Sequence, residues 1–303
     1  MGTLVVIGGT GELGRKAVLA ACADAPTAWS GSIVATYNNS PPPFTSPKVQ
    51  WLHLDCADHK AVRSFILSQT HLSTVIYCAV PKHGGAAGKG GNLVRAGIVD
   101  DVVNCAEAVT IVAAKFVAVS TDLVFDGNLP PSDCYNESSP TCPPNPYGQY
   151  KQHMERQLLN LSGSIIIART SLILTMDEPP FGKAIQFVVD CINGKHGEIE
   201  LFTDELRNMS FSDDLGRALV ELAKPQCTHV GLIHMVSDEV TNRWELAKLL
   251  AKRLNLQHNL GKWAKSGISA ESGLNRPLNC SLSTELKNKV LKTHIDGLSE
   301  RLA

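Results

Sequence analysis

The chain has 303 residues, enough for one large domain or two modest ones at roughly 100–200 residues each. Hydrophobic residues make up 44% and charged residues 19%, a globular balance that excludes a disordered or collagen-like chain. With 28 basic against 29 acidic side chains and a net charge of -1, no basic excess marks a nucleic-acid or anionic-membrane partner.

No apolar run approaches the ~18 residues of a membrane span. The 9 cysteines, an odd number without CxxC spacing, read as reduced thiols; neither a disulfide framework nor a metal site is expected. Leu4-Val5-Val6-Ile7 leads straight into glycines, without the basic region and longer apolar stretch of a secretory signal. Val6 stands where a myristoylation start requires Ser or Thr. The expectation is a cytoplasmic protein, in which the sequons at Asn136, Asn160, Asn208 and Asn279 carry no glycan.

In chain order, Leu4 to Ile7 is the first apolar run, followed by a helical pattern over residues 15–25. Further runs follow at 33–36, 49–54, 74–79, 115–120 and 164–168, with helical patterns at 59–69 and 98–114. Short β-branched runs separated by helices predict strands buried on both faces, hence an α/β fold with a Rossmann doubly wound parallel sheet. Beyond residue 170 the rhythm loosens. Helices are expected at 182–193, 215–223 and 243–254, the second capped by Ser212 or Asp213, with strands at 199–202 and 231–236. The domains read as a dinucleotide-binding unit over 1–170, with a return of the chain around 205–240, and a smaller α/β substrate lobe over 171–303. Loops are expected at 40–43, 84–91 and 129–146, the last an irregular wall of the cleft.

The first run enters Gly8-Gly9-Thr10-Gly11-Glu12-Leu13-Gly14 and then a helix. Gly8, Gly11 and Gly14 fit G-x-x-G-x-x-G: one glycine for the tight turn, one for approach of a pyrophosphate, one for close helix packing. The N–H groups of the following helix then face the phosphate charge. After the second run, Tyr37, Asn38 and Asn39 supply no carboxylate to repel a 2′-phosphate, and Arg15 lies within reach of it. NADP is therefore favoured over NAD. Asp55, after the third run, either meets the adenine or caps the next helix.

Pro146 opens another helix, in which Tyr147 and Lys151 stand four apart on one face. A neighbouring ammonium lowers the pKa of a phenol and brings it toward acid–base work. Together with Ser120-Thr121-Asp122-Leu123-Val124-Phe125-Asp126-Gly127, the glycine turn and the Tyr-x-x-x-Lys pair resemble the extended short-chain dehydrogenases/reductases. The Ser-Thr-Asp-x-Val-Phe-Asp-Gly string most resembles the dTDP-4-dehydrorhamnose reductase branch, which also contains the regulatory subunit of methionine adenosyltransferase. Weaker similarities at Val103-Asn104, Arg169-Thr170-Ser171, Arg207 and Arg276-Pro277 extend the resemblance over nearly the whole chain.

The resemblance implies Tyr147 as the proton donor to a substrate carbonyl, Lys151 on the nicotinamide ribose, and Thr121, or else Ser120, on the carbonyl oxygen. It further implies Cys78, Ala79, Val80, Asn104 and Ser120 beside the cofactor, and Val124, Phe125, Arg207 and Arg276 beside the substrate. Plainer roles stand next to these: a strand-end cap for Thr121, backbone satisfaction for Asn104, salt bridges for Arg169 and Arg276. The branch carries an Ala-Tyr-Thr-x-Val-Asp-like stretch after its fourth strand. This chain has Cys78-Ala79-Val80-Pro81-Lys82-His83 and a glycine-laden loop there instead. The expected function is an NADP-dependent reductase of a keto group on a small polar substrate, such as a nucleotide-linked 4-keto sugar. The alternatives are a silent NADP-binding regulatory subunit and an epimerase or dehydratase holding NAD. Leu123 speaks against the last, where such families place Glu. A homodimer or an enzyme partner is compatible with either main reading.

Overall fold

The computed structural model describes residues 2–29, 32–81, 92–177, 181–272 and 276–303. The first half winds through β1 (Thr3–Ile7), α1 (Glu12–Ala28), β2 (Ile33–Tyr37), β3 (Val49–His53), α2 (His59–Ser68) and β4 (Leu72–Tyr77). It continues through α3 (Asn92–Ile98), α4 (Asp100–Ile111), β5 (Lys115–Thr121), α5 (Pro146–Leu159) and β6 (Ile165–Thr170). The second half holds β7 (Ile173–Leu174), α6 (Lys183–Ile192), β8 (Ile199–Phe202), β9 (Ser210–Phe211), α7 (Ser212–Ala223) and β10 (Gly231–His234). It ends with α8 (Arg243–Arg253), β11 (Ala264–Gly267), α9 (Glu285–Val290) and α10 (Leu298–Leu302).

Seven strands form one parallel sheet in the order β10-β6-β5-β4-β1-β2-β3. The order reverses between β1 and β4, so the connections leaving their carboxyl ends diverge and open a crevice, where doubly wound sheets bind ligands. Every residue of β1 and β6 is buried, which is why Leu4–Ile7 and Ile165–Ala168 within them read as unbroken apolar runs. One layer beneath the sheet is α1 against α7, packed around Ala17, Val18, Leu215 and Leu219; the other carries α2, α4 and α5 around Val62, Val102, Val109 and Met154. The chain returns to this sheet through β10, which pairs in parallel with β6. A third apolar cluster, Leu174, Ile185, Val188, Phe211, Leu246 and Leu250, gathers α6 and α8 beside the short pairs β7–β9 and β8–β11. No helix among the described residues is long and apolar enough to cross a membrane.

Several boundaries differ from expectation for local reasons. The helix expected over 98–114 is the shorter α4, Ile98 instead ending the separate helix α3, and Ala113, at φ 54°, turns the chain before residue 114. α7 is not capped by Ser212 or Asp213. Phe211, paired in β9, is itself the N-cap residue, and Ser212 Oγ instead accepts a hydrogen bond from Thr175 at 2.8 Å. α1 starts at Glu12, because the last glycine of the turn already lies within its first turn.

Candidate active site

At the β1–α1 turn, the three glycines answer to different neighbours. Gly8 has φ +77°, and a Cβ there would lie 2.6 Å from the backbone of Ala79, so the turn nests against the chain leaving β4. A Cβ on Gly14 would fall 2.2 Å from the Gly8 carbonyl oxygen. Gly11 is exposed, and its Cβ would meet only the Gly8 oxygen, at 3.3 Å. The protein itself scarcely needs glycine at position 11, whereas a ligand seated on the turn would. Gly11 also caps α1 without a side-chain hydrogen bond, leaving the helix N-terminus open to an anion. On this geometry the turn fits a dinucleotide pyrophosphate.

The flanking side chains are already committed. Leu13 packs in the core, so any contribution to a ligand comes from its backbone. The Glu12 carboxylate turns toward Gly182 and Thr175, its buried Oε1 unpaired among the described residues; Thr10 is half-buried. Arg15 does not stand free for a 2′-phosphate, because its guanidinium is paired with Asp177. Lys16 bridges Asp177 and Asp213, both at 2.6 Å. Tyr37 lies edge-on to His53 at 5.6 Å, and Asn38 and Asn39 are exposed just beyond β2. Asp55 is not the cap of α2: it accepts from the Ala57 N–H at 3.1 Å, and Asp58 does the capping. Cys78 is half-buried, its thiol pushed up to about 12 by burial, and Val80 is 59% exposed.

Across the sheet's carboxyl end, a cavity of about 200 Å³ is lined on one side by Thr121, Asp122, Leu123 and Tyr147. α5 is held there by local chemistry. Pro146 occupies its first turn, and Asn145 accepts from the Gly148 N–H at 2.8 Å. At Gly148 a Cβ would lie 2.1 Å from the Leu123 carbonyl oxygen, so the missing side chain lets the helix touch the turn after β5. Thr121 Oγ1 donates to Asp122 at 3.1 Å and accepts from the Leu123 N–H at 3.2 Å; it caps the turn and lines the cavity at once. Lys151 is 4% exposed and donates to the Val119 carbonyl at 2.8 Å. Burial lowers its pKa to about 8, the Glu155 carboxylate opposing. The Tyr147 phenol, expected to be lowered by the ammonium, is instead pushed above its ordinary range by burial and then by Asp122. Its hydroxyl makes no hydrogen bond to a described residue.

The opposite wall comes from residues that follow β6 in the chain: Glu205, Arg207, Arg243 and Arg276, with Met209 and Leu172. Arg207 is pinned by the carbonyls of Leu206, Leu278 and Pro277 at 2.6–2.7 Å, and its Nε lies 3.5 Å from Asp122. Asp122, which also accepts from Ser171 Oγ at 2.6 Å, is raised by burial in spite of Arg207. Glu205 faces two guanidiniums, Arg276 at 2.7 Å and Arg243 at 3.7 Å. Arg243, Glu205, Asp122 and Glu155 escaped assignment from the sequence, although Arg243 opens a helix capped by Asn242 and Glu155 stands four residues after Lys151.

Other expected site residues lie elsewhere. Ser120 points away from the cavity, as alternation along a strand requires, and donates to Glu155 at 2.5 Å. Val124 and Phe125 are fully buried beneath the loop wall and do not line the cavity, Phe125 being stacked on Tyr135 at 4.1 Å. Asn104 faces a separate polar surface cleft, donating to the His59 carbonyl at 3.4 Å, away from the cavity. Asn208 and Asn279 are buried in hydrogen bonds, which closes those two sequons. All 9 cysteines are free. His83 and the loop from Gly84 to Gly91 lie outside the described residues.

The sequence pattern of the RmlD substrate binding domain matches residues 2–303. Methionine adenosyltransferase 2 subunit beta of Danio rerio is 25% identical over 253 residues, 81% of this chain and 74% of that protein. A dTDP-4-dehydrorhamnose reductase of Mycobacterium tuberculosis is 26% identical over 145 residues, 47% of this chain; the match spans 46% of that relative, about half its length. Among solved structures, dTDP-4-dehydrorhamnose reductase from Bacillus anthracis in complex with NADP superposes with a TM-score of 0.76 at 20% identity, covering 100% of this chain and 98% of that one. The Bordetella bronchiseptica enzyme WbmH in complex with NAD+ gives 0.78 at 17% identity, covering 100% and 96%. At such identities the likeness to solved structures concerns the fold.

Proposed function

This chain belongs to the RmlD substrate binding domain family, and we propose that it is an NADP-dependent reductase of a keto group on a small, polar, anionic substrate. A nucleotide-linked 4-keto sugar is the first candidate. The observation that carries the reading is the meeting of Thr121 and Tyr147 in one cavity, with Lys151 one turn further along the same helix. Gly8, Gly11, Gly14 and the open end of α1 would hold the pyrophosphate. Tyr37, Asn38 and Asn39 bring no carboxylate against a 2′-phosphate, which favours NADP. The nicotinamide, when bound, supplies a hydride.

The residues of the chain supply the rest. Tyr147 gives its phenolic proton to the carbonyl oxygen, and Thr121 hydrogen-bonds that oxygen. Lys151 would hold ribose hydroxyls with its ammonium. Arg243 and Arg276 share the single carboxylate of Glu205, and this excess of positive charge suits a phosphate or carboxylate on the substrate. The purified protein should consume NADPH when given keto sugar nucleotides or small keto acids. Tyr147→Phe should cut turnover at least ~100-fold while cofactor still binds; equal turnover removes Tyr147 from the chemistry.

The match to a methionine adenosyltransferase subunit, spanning 253 residues against 145 for the reductase, favours a second reading: a nicotinamide-binding subunit of another enzyme. A stable complex with such an enzyme, bound NADP and no turnover across the keto substrates would decide for it.

A further inference from the structure

Beneath the cavity, on the face of β5 opposite Thr121, lies a buried ion pair that the proposed chemistry leaves unused. Glu155 is 3% exposed and Arg169 2%. Glu155 Oε1 accepts from Ser120 Oγ at 2.5 Å and from Arg169 Nε at 3.0 Å, and Oε2 accepts from the other arm of the guanidinium at 2.7 Å. Arg169 also lies over the Phe125 ring at 5.0 Å. Burying such a pair costs solvation that its attraction barely offsets, and an apolar replacement is often as stable. Stability alone is therefore a weak account of it.

Its position suggests another. Lys151 grips the Val119 carbonyl and Glu155 grips the Ser120 hydroxyl, one helical turn apart on α5. Those are the two residues directly before Thr121. We infer that Glu155 is a positioning residue: shared between Ser120 and Arg169, its carboxylate clamps the end of β5 to α5 and sets the charge carried by Lys151. The inference rests on Lys151 serving as the working ammonium.

The titratable and charged groups on the elements around Lys151 are Tyr147, Tyr150, His153, Glu155 and Arg156 on its own helix, Cys78 after β4, Lys115 on β5, Asp122 after it and Arg169 on β6. Asp100, Asp101, Cys105 and Glu107 on α4 and Arg95 on α3 complete the set. Of these, Glu155 and Cys78 act on the ammonium, and the Cys78 thiol, at about 12, stays neutral. Removing the Glu155 carboxylate leaves Arg169 uncompensated, so Lys151 must release its proton at lower pH. Removing the Arg169 charge leaves the carboxylate unopposed, so Lys151 must keep its proton to higher pH. The two shifts have opposite signs, which a packing defect does not produce.

The test is NMR titration of the full chain labelled at lysine ¹³Cε, without cofactor, the Lys151 resonance being identified by its loss in Lys151→Arg. The wild-type resonance should titrate near 8. In Glu155→Gln it should move down by about one unit, in Arg169→Gln up by a similar amount, and in the double variant it should return close to wild type. Should Glu155→Gln not fold, Arg169→Gln and the charge-neutral double variant still carry the test. Unmoved titration, or single variants moving the same way, overturns the inference. Absence of turnover in the wild type, with these shifts present, would sink the reductase reading and leave the clamp standing.

Discussion

Replacing Gly148 with alanine pits local helix preference against tertiary contact. In an isolated helix the change is favourable by about 1 kcal/mol. Here the new methyl group would lie 2.1 Å from the Leu123 carbonyl oxygen and 2.8 Å from Pro143 Cβ. The first of these is a backbone atom, so no rotamer relieves the clash; α5 or the turn after β5 must shift by about 1 Å. Overpacking of this kind costs ~1–3 kcal/mol, which offsets or exceeds the propensity gain. Tyr147 precedes Gly148 and Thr121 sits two residues before Leu123, so the same displacement separates the two hydroxyls. A misplacement of about 1 Å is worth ~100-fold in rate. Gly148→Ala should therefore fold, melt unchanged or a few degrees lower, and lose about 100-fold in kcat/KM, read by thermal melting and NADPH oxidation. A raised melting temperature with wild-type kcat/KM would refute the close approach as the device that assembles the site.

Two other substitutions separate binding from folding. Gly11→Val should melt within about 2 °C of wild type, because Gly11 has φ -69° and little protein around it. It should lose cofactor binding by calorimetry; normal titration would dismiss the turn as the pyrophosphate site. Arg243→Ala should raise KM for an anionic substrate ~10–100-fold, the scale of one charged hydrogen bond, with cofactor affinity unchanged; an unchanged KM assigns the anion to other groups.

The strands were legible because burial on both faces leaves a continuous apolar signature, and the glycine turn because backbone geometry restricts residue choice at Gly8 and Gly14. The second wall was not legible. The contacts of Glu205 with Arg276, and of Asp122 with Arg207, join residues some 70 to 85 positions apart, and no local period announces them. Ser120 and Thr121 could have been told apart, since neighbours on a strand face opposite ways. Val124 and Phe125 fall outside the cavity for a different reason. They share the motif string with Thr121, but the chain leaves the strand there for a short 3₁₀ turn at Asp122–Val124, and the side chains follow the turn into the loop core.

The charges around the cavity bear on the direction of the chemistry. Burial and Asp122 both strengthen the hold of Tyr147 on its proton, so the phenol is neutral at physiological pH. A neutral phenol is what carbonyl reduction needs, whereas oxidation of an alcohol needs the phenolate. Lys151, lowered to about 8, carries its charge below that pH and loses it above. Reduction should thus proceed well at neutral pH and decline as pH rises through about 8, where the ammonium is lost. Oxidation gains phenolate only as the ammonium disappears, so its maximum should be low at every pH. Steady-state rates in both directions, measured from pH 6 to about 10, test this balance. Oxidation outrunning reduction at neutral pH would mean that the phenol ionises readily, and that burial and Asp122 do not hold its proton.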